Sequence, residues 1–327
     1  MVSRRRFSAG AIAAALIPVT AKAQQPKIWK IGFLAATTAQ SQAQARLGAF
    51  LQGLRGLGYV EGNNIKVERR FADGDYKRLP GLAAELVHEK VDIIVASSTV
   101  STQAAKGATT SIPIVAMGVG DPLGTGFAAS LARPGGNVTG FSIISPDIIP
   151  KRIEMLLAAL SKTKTFGVLA NPDNPTYPIV LKSIQATAQK AGVNAVLFHA
   201  SSSAEIERAF AAIVKDRIRA VLVLADSLFI QQSKQITELT ATHRLAAMFA
   251  YRFFVDAGGL MSYGPDDDEA YRRAAIYVDK IFKGAKAGEL PFEQPTKFHL
   301  VINGKTAKSL GIKLSQELLL RAEEVIE

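Results

Sequence analysis

From residue 27 onward, short apolar runs alternate with amphipathic stretches. Residues 28–35 (IWKIGFLA) form the first run, and a helical pattern over 41–57 follows it, closed by Gly58. Residues 65–71 (IKVERRF) alternate with a period of two and read as a strand, placed at a sheet edge. Residues 76–89 carry Leu79, Leu82, Ala83, Leu86 and Val87 along one helical stripe. Residues 91–96 and 112–117 are continuous apolar runs, as in strands buried on both faces, with a helix at 99–109 between them. Strand and helix in regular alternation imply βα units and a parallel sheet.

The segment 112–142 (IPIVAMGVGDPLGTGFAASLARPGGNVTGFS) is the pivot of the chain. Its strand breaks at 118–122, a small-residue helix is predicted over 123–131, and a Pro134-Gly135-Gly136 turn leads to a strand at 138–142. A buried strand ending in a glycine-rich break before a helix is how an open parallel sheet presents a ligand loop. The pattern then restarts. Helices are predicted at 148–160, 175–191, 203–215 (Ser203 as N-cap) and 228–243, with strands at 165–170, 195–200, 220–225 and 245–250. The tail adds a strand at 260–263 and a helix at 266–283. That helix opens on Asp266, Asp267, Asp268 and Glu269, which suit a helix N-terminus. An extended stretch at 290–295, a strand at 298–303 and a closing helix at 316–326 complete the chain.

The two series repeat. KIGFLA at 30–35 matches TFGVLA at 165–170, IIVAS at 93–97 matches LVLAD at 222–226, and IVA at 114–116 matches MFA at 248–250. All three pairs share an offset of about 130 residues. The expected fold is α/β: two doubly wound parallel-sheet lobes joined by a three-segment hinge, with a cleft between them. Crossings near Ser142, Gly264 and Pro295 place 27–142 plus 264–290 in the first lobe and 143–263 plus 296–327 in the second.

Composition narrows the setting. The 327 residues suffice for two lobes, and 48% apolar with 20% charged residues is a globular balance. Residues 1–23 have a basic start (Arg4, Arg5, Arg6), an apolar stretch and an Ala21-Lys22-Ala23 ending, which together read as an export signal removed near Ala23. Ser3-Arg4-Arg5-Arg6-Phe7 resembles the twin-arginine signal, so the Sec and twin-arginine routes are both open. There is no cysteine, which excludes disulfides, thiol catalysis and a lipid-anchored cysteine. A periplasmic monomer without cofactor is expected. The formal charge is +11; loss of four cations with the leader leaves 35 against 28 acids, or +7. These cations are scattered at helical spacing beside acids, so solvated helix faces explain them and nucleic acid is not an expected partner.

Candidate binding groups follow from the rule that ligands sit at the carboxyl ends of the strands. Those ends supply Thr37 and Thr38; Ser97, Ser98 and Thr99; Gly120 and Asp121; Asn171 and Asn174; Asp226 and Ser227; and Tyr251. Tyr263, with Tyr177, Phe229 and Tyr251, could cover an apolar side chain. Small hydroxyl residues before a helix expose backbone N–H groups to a carboxylate, while Asp121 and Asp226 could receive an ammonium. Asp121 has a second reading as a cap on the following helix, and Tyr263 one as hinge packing.

The sequence resembles the substrate-binding proteins of ABC importers, in the group that includes tryptophan- and tyrosine-binding members. The resemblance spans residues 27–327 and is most specific at DPLG (121–124) and SLARPGGNVTG (130–140). GLGYVEG at 56–62, SYGP at 262–265 and EQPTKFHLVIN at 293–303 support it. It implies a type I periplasmic-binding-protein fold, cleft closure on a small solute and delivery to ABC permease subunits. It does not carry a particular ligand over.

Other classes fit less well. Gly118, Gly120 and Gly124 give G-x-G-x-x-x-G, with Leu123 where a dinucleotide fingerprint needs glycine. No phosphate-loop, zinc-protease or nucleophile-elbow motif occurs, and His88, His199, His243 and His299 are far apart. A periplasmic enzyme and a ligand-sensing partner of a membrane receptor remain the alternatives.

Overall fold

The computed structural model describes residues 27–40, 42–143, 145–160, 163–265 and 267–327. The expected leader and Asp266 lie outside the described residues.

The first series runs β1 (Trp29–Ala35), α1 (Gln42–Gly56), β2 (Ile65–Phe71), a 3₁₀ turn Tyr76–Arg78 leading into α2 (Leu79–His88), β3 (Ile93–Ala96), α3 (Thr99–Ala108), β4 (Ile114–Val119) and β5 (Val138–Ser142). The second runs α4 (Ser145–Ala159), β6 (Thr165–Ala170), α5 (Tyr177–Ala191), β7 (Asn194–His199), α6 (Ser203–Lys215) and β8 (Ala220–Val223). It continues through α7 (Ser227–Gln231), α8 (Ser233–Thr242), β9 (Ala246–Phe249), α9 (Arg252–Asp256) and β10 (Met261–Gly264). The tail adds α10 (Asp267–Phe282), β11 (Phe292–Glu293), β12 (His299–Asn303), α11 (Gly304–Leu310), α12 (Gln316–Arg321) and β13 (Glu324–Ile326).

Two sheets result, ordered β2-β1-β3-β4-β5-β11 and β7-β6-β8-β9-β10-β12-β13. Their first five positions have the same topology, as the internal repeat requires. β1 runs parallel to β2 with Trp29 opposite Ile65, and β6 runs parallel to β7 with Thr165 opposite Asn194. β12 is the exception, antiparallel to β10.

Alternation along each strand divides its side chains between two helical layers. In the first lobe Ile31 and Phe33 face α1 and α10, where Phe50, Leu54 and Tyr277 are buried; Leu34 and Ile94 face α2 and α3. In the second lobe Phe166 and Val168 pack on α4 and α5, while Leu169 and Val221 pack on α6 and α8. Each such aliphatic or aromatic side chain contributes about 1.5–3 kcal/mol on burial. Trp29 stacks on Phe282 of α10 with ring centroids 4.1 Å apart.

The chain passes between the sheets after β5, between β10 and α10, and between β11 and β12. Two boundaries differ from expectation. Gly264 pairs with His299 and so ends the second sheet, and β11 pairs with Gly140 and Phe141, extending the first lobe past residue 290.

Four local expectations are corrected. Residues 123–131 form turns and no helix. The Asp121 carboxylate accepts the N–H groups of Leu123 and Gly124 at 3.0 and 2.9 Å, and Phe127 and Ala128 both donate back to the Pro122 carbonyl. A short segment holding Gly124 and Gly126 has little propensity to set against these bonds. The cap of α6 is Ser202, whose hydroxyl accepts from Glu205 N–H. The expected helix 228–243 is two helices, because Gln232 leaves helical geometry at φ −94°, ψ 23°. The closing helix stops at Arg321; Glu323 donates to the Leu300 carbonyl and Val325 and Ile326 join β12 as a strand. The edge of β12 offers β-branched residues a ladder, and that outweighs their weak helical preference.

Candidate functional site

The carboxyl ends of both sheets face each other across one cleft. On the first lobe, Ser98 caps α3: its Oγ accepts from Ser101 N–H at 3.4 Å and shares a 2.8 Å hydrogen bond with Ser101 Oγ. Thr99 Oγ1 accepts from Gly120 N–H at 3.1 Å, which ties the loop after β3 to the loop after β4. The Ser97 carbonyl accepts from the Tyr271 hydroxyl of α10 at 3.1 Å. The α3 N-terminus therefore presents its amides on a fixed support, suited to an anionic group.

On the second lobe, Asp226 caps α7 and is 4% exposed. Its Oδ1 accepts from Asn171 Nδ2 (3.1 Å), Leu228 N–H (3.0 Å) and the Tyr76 hydroxyl (2.8 Å); Oδ2 accepts from Asn174 Nδ2 (2.8 Å). Burial raises the Asp226 carboxyl above the usual carboxylate range, and the donors from Asn174, Asn171 and Tyr76 pull against that shift. Asn171 and Asn174 are themselves fixed, accepting from Asp173 N–H and from the Thr176 N–H and hydroxyl.

The enclosed space between the lobes is narrow, about 30 Å³. Its polar wall is Ser97, Ser98, Thr99, Asn174, Asp226 and Ser227; Val100, Met117, Ile143 and Ile230 supply an apolar wall. Arg46 of α1 lies 5.3 Å from the ring centroids of both Tyr251 and Tyr271, a cation–π arrangement joining the second lobe to the first.

Seven expected residues line the cleft together: Ser97, Ser98, Thr99, Asn174, Asp226, Ser227 and Tyr251. The others stand apart. Thr37 is buried and Thr38 half-buried at the end of β1. Gly120 is behind Thr99, Asn171 is behind Asp226, and the Asp121 carboxylate accepts from its own turn. Tyr263 packs beside Phe298, and its carbonyl accepts from buried Arg152 Nε at 2.8 Å. The strand-end rule missed Arg46, Tyr76 and Tyr271, which come from helices and a turn; only their tertiary packing delivers them.

The lobes touch at several further points. Gln231 Nε2 donates to the Asp73 carbonyl at 3.3 Å, and a Cβ on Gly120 would be 2.6 Å from Thr176 Cγ2.

A sequence profile for ABC transporter substrate binding proteins matches residues 30–326. The chain belongs to that family. A tyrosine-binding protein of Clostridioides difficile is 29% identical to this substrate-binding protein over 269 residues, covering 82% of this chain and 77% of the relative. A conserved domain protein from Vibrio cholerae has TM-score 0.85 at 28% identity, covering 91% of this chain and 100% of that one. A Streptococcus domain in complex with L-Trp has TM-score 0.82 at 25% identity, covering 90% and 100%. The fold is that of type I periplasmic binding proteins. A ligand-free, open substrate binding protein from Clostridium difficile also shares 25% identity, covering 91% and 99%, yet its TM-score is 0.64. Among the described residues no three His, Asp or Glu side chains gather as a metal site, and no helix is long and apolar enough to cross a membrane.

Proposed function

We propose that this substrate-binding protein serves an ABC importer in the periplasm. It captures a small solute, an amino acid or a related organic compound, by closing its two lobes, and hands it to the permease. The observation that carries this reading is a cleft lined by the strand ends of both lobes. A solute there touches both lobes only when they are closed, so binding favours closure. The leader-like residues 1–23 fit export, and the relatives described as tyrosine-binding and as an L-Trp complex fit an amino-acid-sized solute. The amides at the start of α3 suit the carboxylate end, and Tyr251, Val100 and Ile230 suit an apolar side chain.

Titration calorimetry against the amino acids and their deaminated acids tests the reading. At least one compound should bind with Kd of about 1 μM or tighter, near −8 kcal/mol, and X-ray scattering should show a smaller radius of gyration with it. Saturable binding without compaction, or turnover of the bound compound, would count against it.

A further inference from the structure

The second lobe's most elaborate polar cradle holds a side chain of the first lobe. Tyr76 opens the 3₁₀ turn after β2, a turn fixed by Asp75, whose Oδ1 accepts from Lys77 N–H at 3.0 Å. The Tyr76 ring packs against the hydrophobic clusters of both lobes. Its hydroxyl donates to Asp226 Oδ1 at 2.8 Å and accepts from Leu228 N–H at 2.9 Å. That position is the start of α7 at the carboxyl end of β8, where an open parallel sheet ordinarily receives a ligand group. The same turn makes a second contact through the Asp73 carbonyl and Gln231.

We propose that Tyr76 is a positioning residue that stands in for a ligand group in the second lobe and latches the cleft shut. This inference rests on the reading of the cleft as a solute site that opens and closes. The latch divides the work of the two lobes. Asp226, with Asn171 and Asn174 behind it, holds the phenol, while the solute is read by the α3 amides and by the Ser227 and Tyr251 side of the second lobe. Opening returns both the phenol and the carboxylate to water, so the latch biases the equilibrium without locking it. A closed fraction then exists before any solute arrives, and solute leaves only after the Tyr76 bond breaks.

The chain has no cysteine, so a Gln103→Cys, Gln185→Cys pair on exposed sites of α3 and α5 gives two unique spin-label positions across the cleft. Pulsed dipolar spectroscopy on dialysed protein, with no solute added, reads the ratio of short to long distances. The unsubstituted background should show both populations. Tyr76→Phe keeps the ring and should lower the closed-to-open ratio about three- to tenfold, with unchanged far-ultraviolet dichroism. Asp226→Ala removes the acceptor from the other lobe, and the double variant should be no more open than the more open single. An unchanged ratio in Tyr76→Phe, a double variant equal to the product of the singles, or no short-distance population in the background would each overturn the latch. Failure of the latch alone leaves calorimetric binding of amino acids intact. Failure of the importer reading shows in the calorimetry, whatever the distances do.

Discussion

Tyr59, Tyr76 and Tyr277 each donate a hydrogen bond to a carboxylate: Asp279 at 2.9 Å, Asp226 at 2.8 Å and Glu293 at 3.0 Å. Burial, then the neighbouring carboxylate, pushes the Tyr59 phenol up to about 12 and raises the other two as well. The folded value exceeds the unfolded one, so these phenols stabilise the fold fully below the ordinary value of about 10. That contribution is lost as pH rises through the folded values. In an ultraviolet absorbance titration, Tyr59, Tyr76 and Tyr277 should ionise above the ordinary value of about 10. Tyr59→Phe should remove part of the absorbance change above about pH 10; an unchanged high-pH phase in that variant would contradict the packing. At this scale the sequence was half legible. The strand-end rule found Asp226, but its partner Tyr76 comes from 150 residues away. No local pattern marks that approach, because the two lie on different lobes.

Between elements, α1 and α10 of the first lobe pack with their backbones in close approach. A Cβ on Gly53 would meet the Arg272 carbonyl oxygen at 2.5 Å and Ala275 Cβ at 2.9 Å. Gly53→Val should therefore cost about 1–3 kcal/mol by forcing the helices apart. The single tryptophan, Trp29, stacks on Phe282 of α10 and reports on this docking. Its fluorescence should show the first-lobe denaturation midpoint falling, and an unmoved midpoint would sink the argument. Strands were well read: β2, β5 and β6 have the expected bounds, because runs such as VTGFS and TFGVLA are buried and bounded by turn residues. Segments of small or mixed residues were read poorly. In 123–131 capping by Asp121 decided for turns, and after Arg321 an open sheet edge decided for a strand.

For the whole molecule, closure depends on how near the lobes can come. A Cβ on Gly120 would press on the Thr176 side chain at 2.6 Å, so a bulky side chain there opposes close approach of the lobes. Gly120→Leu should raise the radius of gyration measured with solute present and weaken solute binding at least tenfold, about 1.4 kcal/mol. Normal compaction in that variant would show that this contact does not limit closure. The sequence alone determined that there are two lobes of like topology and three crossings, because buried strands and their repeat leave a local pattern that survives without neighbours. It also placed seven side chains that line the cleft. Only the tertiary structure decided what those side chains face. Arg46 between two tyrosines, and Tyr76 in the cradle of Asp226, bring together residues from opposite lobes. Such contacts depend on how two rigid bodies meet, and no stretch of contiguous sequence encodes that.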